Sequence, residues 1–154
     1  MSGSRGLRPW LGGAVLAGVA ASASAQFAQV PAPALAAPPA SSEAEDAPAY
    51  RLAAARHVYA AFPSRIHKGK MPPMMYAVMI TETQVDAAGL VVGVKVVRPP
   101  AAAHEVAPWV VSLIQRAAPF PAPVRMAGGA VWREIWLVDR TGTFQVDALT
   151  EGQR

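Results

Sequence analysis

Val106, Trp109, Val110, Leu113, Ile114 and Ala117 fall at the three- and four-residue spacing that gathers side chains on one face of an α-helix. Glu105 in the first turn and Arg116 in the last complement the helix dipole. Pro108 is tolerable only near the start, and Pro119 and Pro121 end the segment. This is the clearest amphipathic helix of the chain, and its apolar face has to be buried against another element.

The segments on either side change period from 3.6 to 2. Between Met75 and Val85, the residues Tyr76, Val78 and Ile80 alternate with smaller or more polar ones. Asp86-Ala87-Ala88-Gly89 supplies a turn, and Leu90, Val92, Val94 and Val96 follow before Pro99-Pro100 closes the strand. After Gly128-Gly129, the residues Val131, Ile135 and Leu137 alternate with Trp132, Glu134 and Trp136. Asp139-Arg140-Thr141-Gly142 then turns the chain into a last strand over 143–149. Ahead of all this, Leu52, Ala55, Tyr59 and Phe62 predict a helix over 50–62, ended by Pro63. The order helix, two strands, helix, two strands predicts an α+β domain: an antiparallel sheet of three to four strands with two helices on one face.

The N-terminus reads differently. Arg5 and Arg8 precede an apolar run of 12 residues, Trp10 to Ala21, and Ala23-Ser24-Ala25 stands before Gln26. That is the order of a secretory signal peptide, and the run is short of the roughly 20 residues a membrane span needs. Residues 1–25 are therefore expected to be a leader cleaved after Ala25, which places the protein in the periplasm with weak or no membrane association afterwards. Residues 26–49, rich in Ala and Pro, read as an extended linker, and residues 50–154 as the folded domain. Without a cysteine, neither a disulfide nor a lipid-bearing thioether is available, so stability comes from packing.

A turn of the form Val85-Asp86-Ala87-Ala88-Gly89-Leu90-Val91, the strand Val94-Lys95-Val96-Val97-Arg98 and a helix running into Ala117-Ala118-Pro119-Phe120-Pro121-Ala122-Pro123 stand in one order over about 70–139. Together they resemble the C-terminal domain of the TonB/TolA energy transducers. Members of that family have a strand, a D-x-x-G hairpin turn, a V-x-x-V-x-V strand, an amphipathic helix and a Phe-Pro motif before the last main strand. The resemblance implies recognition of an envelope protein by pairing of a peptide with a sheet edge. Transducers carry an uncleaved membrane helix and a long spacer, and here the leader looks cleavable, the spacer is short and an extra strand follows residue 138. Recognition without energy transduction is the expectation. The strands over 75–85 and 143–149 are the candidate edges.

Catalysis has no foothold in the sequence. His57, His67 and His104 lack metal-ligand spacing, no serine lies in a G-x-S-x-G turn, and no carboxylates pair as acid and base. No cofactor or metal is expected. Without Arg5 and Arg8 the chain has 12 basic and 10 acidic residues, net +2. No aromatic-interleaved basic stripe marks a nucleic-acid binder. The candidate partner-binding residues are Phe144 and Val146 on the last strand, Arg65, Lys68 and Lys70 in a basic loop suited to anionic lipid or an acidic partner, and Trp132 with Trp136. A periplasmic ligand- or glycan-binding surface on the Trp132/Trp136 face is the alternative reading. An envelope protein is the expected partner, and a homodimer is also open.

Overall fold

The structure, a computed structural model, describes residues 25–35 and 37–153. The leader before Ala25 lies outside the described residues. The elements are α1 (Ala25–Ala28), α2 (Ala47–Ala61), β1 (Ala77–Val85), β2 (Val91–Arg98), α3 (Val106–Ala117), β3 (Ala130–Val138) and β4 (Phe144–Val146), with 3-10 turns at Pro63–Arg65 and Asp147–Leu149. The sheet is antiparallel throughout, in the order β2-β1-β3-β4, and the expected α+β class is found. No described helix is long and apolar enough to cross a membrane.

Period-two alternation decides what the two central strands bury. Ala77, Met79, Thr81, Thr83 and Val85 of β1 and Ala130, Trp132, Glu134, Trp136 and Val138 of β3 point to the helices and are buried. Val78 pairs with Leu137 and Ile80 with Ile135 on the opposite, half-covered face. All six apolar residues expected on the face of α3 are buried. Aromatic rings form a continuous chain through the core. Phe120 meets Trp132 at 5.4 Å, Trp132 meets Trp136 at 5.9 Å, Trp136 meets Phe144 at 5.1 Å, and Phe144 meets Trp109 at 6.2 Å. Their polar tips are satisfied, for Trp136 Nε1 donates to Thr81 Oγ1 at 2.9 Å.

The Asp-Ala-Ala-Gly turn and the Pro-Phe-Pro segment, far apart in sequence, touch. Asp86 Oδ1 accepts from the N–H groups of Ala88 and Leu90, and Gly89 takes φ +87°. Phe120 N–H donates to Gly89 C=O at 2.8 Å, and a Cβ on Gly89 would lie 2.2 Å from Phe120 C=O. Only glycine fits both the left-handed turn and that approach, a physical reason for the two motifs to occur together.

Three expectations are corrected. Helix α2 begins at Ala47, where Asp46 caps it by accepting from Ala49 N–H at 2.8 Å. Its buried side runs through Tyr50, Ala54, Ala55, His57, Val58 and Ala61, while Leu52 is exposed. In so alanine-rich a helix, several faces have nearly the same apolarity. Second, residues 26–49 do not stand off as a linker. Phe27 is buried, Trp109 Nε1 donates to Gln29 C=O, and Arg116 donates to Val30 C=O. Ala34 N–H donates to Ala61 C=O, Ser42 bridges Pro123, and Arg125 pairs with Glu43 and Glu45. Small residues and prolines suit a strap lying close on a surface, because little side-chain entropy is lost on docking. Third, β1 is central in the sheet, so it offers no edge.

Candidate functional site

With β1 inside the sheet, the edges are β2 and the β4 side. Strand β2 is guarded. Its ladder with β1 shifts register between Ile80 and Thr81 and again between Gln84 and Val85, and Lys95 and Arg98 are exposed along it. Bulges and cations are the usual devices that keep an edge from pairing.

The other side is divided. β4 pairs with only the last three residues of β3: Trp136 with Val146, Leu137 with Gln145, Val138 with Phe144. The outer rim of β4 is itself occupied, because Phe144 C=O accepts from His67 N–H at 2.9 Å and Val146 N–H donates to Tyr59 Oη at 3.1 Å. Those outward groups place the backbone groups of Gln145, and so of Leu137 opposite it, between the two strands. By alternation, the N–H and C=O of Ile135, Arg133 and Val131 face the same side, where β4 has already ended. At Ile135 the N–H donates to Glu134 Oε1 at 3.0 Å. Beyond it, Arg133 and Val131 have no backbone partner on that side among the described residues.

Glu134 makes this division. Its side chain is buried, and one carboxylate gathers five donors. Arg51 donates from Nη2 at 2.5 Å and from Nε at 3.2 Å, Trp132 from Nε1 at 3.4 Å, Ile135 from N–H at 3.0 Å and Ala148 from N–H at 3.3 Å. Arg51 Nη2 also donates to Asp147 Oδ2 at 2.9 Å. The bond to Glu134 is the main cause that raises the Arg51 pKa above its ordinary value. The carboxylate thus occupies the place where β4 would have continued, and the chain turns away through Asp147–Leu149.

Between the open half of β3 and the start of α2 lies a cleft of about 400 Å³. Ala47 and Pro48 form one wall, Val131 and Ile135 another, and Arg51, Arg133 and Asp147 supply charge. Val131 is 51% exposed, and Arg133 donates to Glu82 Oε2 across the outer face at 2.8 Å. The arrangement provides unpaired backbone groups, two apolar side chains and both signs of charge. No described hydroxyl or imidazole stands at the cleft as a nucleophile or a base.

The residues singled out in the sequence do not come together as a site. Trp132, Trp136, Phe144 and Val146 have no exposed surface, so a platform on the tryptophan face and direct contact through Phe144 or Val146 are corrected to core packing. Alternation puts both indoles under the helices, and β4 is short enough to be enclosed on every side. Arg65 reaches Gly142 C=O at 3.5 Å, and Lys68 and Lys70 are exposed. His57 is buried, with Nε2–H donating to Ala117 C=O at 2.7 Å, and burial lowers its pKa. The residues that matter, Arg51, Val131, Arg133 and Asp147, carried one signal in the sequence: a carboxylate at 134 on the same strand face as two tryptophans demands a buried cation or a set of N–H donors.

Comparison with protein-family models, with curated proteins and with solved structures finds no match. The likeness to the TonB/TolA C-terminal domain therefore rests on the residues that carry it.

Proposed function

We propose that the protein is a non-catalytic interaction module of the cell envelope, secreted to the periplasm, that takes an extended segment of a partner protein as an added strand on the open half of β3. The observation that carries this reading is the early end of β4, which leaves the outward backbone groups of Val131 and Arg133 unpaired beside a cleft. Strand addition draws affinity from main-chain hydrogen bonds and selectivity from pockets for alternate side chains. The Arg133 N–H and C=O would form the central bonded pair, and the cleft would take a side chain of the added strand next to Arg51 and Asp147. The resemblance to the transducer domain supports the same mode of binding.

The test is a photo-crosslinking residue at Val131, with a second at Val92, itself 62% exposed, as control, in the native envelope. A discrete adduct from position 131, lost when Arg133→Pro removes the outward N–H without touching the ladder to β1, is the expected result. An adduct from position 92 with none from 131, in protein of unchanged circular dichroism, would exclude the site.

A further inference from the structure

The open edge of β3 is short and closed at one end. The outward backbone groups of Val131 and Arg133 are free, but at Ile135 the N–H is already held by Glu134 Oε1. The turn Asp147–Leu149 lies against both α2 and β3 just beyond it. A strand added beside Val131 and Arg133 cannot continue past Ile135, so it ends there or leaves the sheet. The opposite end is open: β3 starts at Ala130 after Gly128 and Gly129, and a Cβ on Gly128 would meet nothing within 4 Å.

Direction decides which terminus meets the closed end. β4 runs antiparallel to β3, and a strand that continues its line in the same sense has its amino end at Asp147. A parallel strand would bring its carboxyl end there. Charge separates the two. Arg51 is shared between Glu134 and Asp147, 2.9 Å from Asp147 Oδ2, so a single guanidinium faces two carboxylates and a negative charge is left over. The Glu134 oxygens are taken by Arg51, Trp132, Ile135 and Ala148. Asp147, by contrast, has a side chain 45% exposed, and among the described residues its Oδ1 accepts no hydrogen bond. The other cation of the cleft, Arg133, is drawn to Glu82 on the outer face. Lys95 is two strands away, opposite Glu82 on β2. The positive end of the α2 dipole is met by Asp46.

We propose that the cleft captures the amino terminus of a partner protein: its first residues pair antiparallel to β3, and the α-ammonium group sits on Asp147 Oδ1. Terminal capture rests on strand addition at β3 and gives it a direction and an end. The residue opposite Arg133 exchanges both main-chain bonds with it. The residue before that one turns its side chain to the helix side, into the cleft beside Ala47 and Pro48. The chain starts at that residue or one earlier, level with Ile135, where the ladder is closed. An ammonium group supplies the missing positive charge and up to three donors, whereas a terminal carboxylate would be a third acid on the same arginine.

The experiment compares two libraries of short random peptide amides, one with free amino termini and one acetylated, for retention on the immobilised full chain, read by mass spectrometry. The free library is expected to be retained about tenfold better. Asp147→Asn, in protein of unchanged circular dichroism, is expected to remove that advantage and leave the acetylated library where it was, and Arg133→Pro to release both. Equal retention of the two libraries, lost with Arg133→Pro, would overturn terminal capture and leave strand addition standing. Acetylated peptides selected for lysine and held as well as the free ones would also overturn it, in favour of a side-chain ammonium. Retention of neither library, or retention that a folded Arg133→Pro protein keeps, would overturn strand addition itself.

Discussion

One strand, β3, has two fates. From Trp136 to Val138 it is sealed: β4 pairs with it, the loop after α2 pairs with β4, and Tyr59 takes the last outward N–H. From Val131 to Ile135 the same strand, with the same alternation of buried and exposed side chains, borders a cleft. Side-chain pattern therefore does not separate core edge from candidate site. The separation is made by one buried carboxylate, Glu134, which satisfies Ile135 and Ala148 and lets the chain leave the sheet. A strand edge is available only where the backbone that would have covered it has been given another partner.

The largest effect is expected in the sealed half. Trp136→Ala removes a fully buried indole and should cost about 4 kcal/mol, measured by denaturant unfolding; a loss under about 1 kcal/mol would mean that the sealed half is not part of the cooperative core. At the boundary, Glu134→Ala leaves the N–H groups of Trp132, Ile135 and Ala148 without their acceptor and should cost about 3 kcal/mol. Arg51→Ala leaves the fully buried Glu134 carboxylate without its cation and two of its donors and should cost about 2–3 kcal/mol. If both changes cost under about 1 kcal/mol, Glu134 acts as a surface ion-pair partner and does not divide the strand.

Smaller changes sharpen the contrast. Tyr59→Phe strands the Val146 N–H and should cost about 1 kcal/mol, with faster amide exchange at Val146 and none at Val131. Acid should loosen the packing behind the open half first. His57 packs on Phe120, which packs on Trp132, and burial holds its folded-state pKa below the ordinary 6.5. The unfolded chain binds the proton more readily, so stability is complete above about pH 6.5 and declines as pH falls through the folded value. His57→Gln should flatten that decline. At the end of the scale, Arg133→Ala should leave stability within about 0.5 kcal/mol and change only partner binding at the open edge.

Much of the architecture follows from local pattern. Helix α3 was legible because its large apolar residues leave one possible face, and the first hairpin because Asp86 and Gly89 are tied to one turn geometry. Helix α2 was placed, but its buried side was not, since alanine carries too little surface to distinguish faces. The candidate site was hardly visible: Val131 and Arg133 look like any outward pair on a strand, and Glu134 between two tryptophans was the single irregularity.

Element order, the alternation of the two central strands and the turns were legible in the sequence alone, because all of them depend on residues within a few positions of one another. Only the tertiary structure decided that β1 is central, that the Ala/Pro segment lies on the domain, and that β4 stops at Val146. These outcomes depend on contacts between residues distant in the chain, such as Arg51 with Glu134 and Phe27 with Trp109. Local preference carries no record of which remote group will supply a buried carboxylate or a ring with its partner. The edge left open on β3 is the consequence of such pairings.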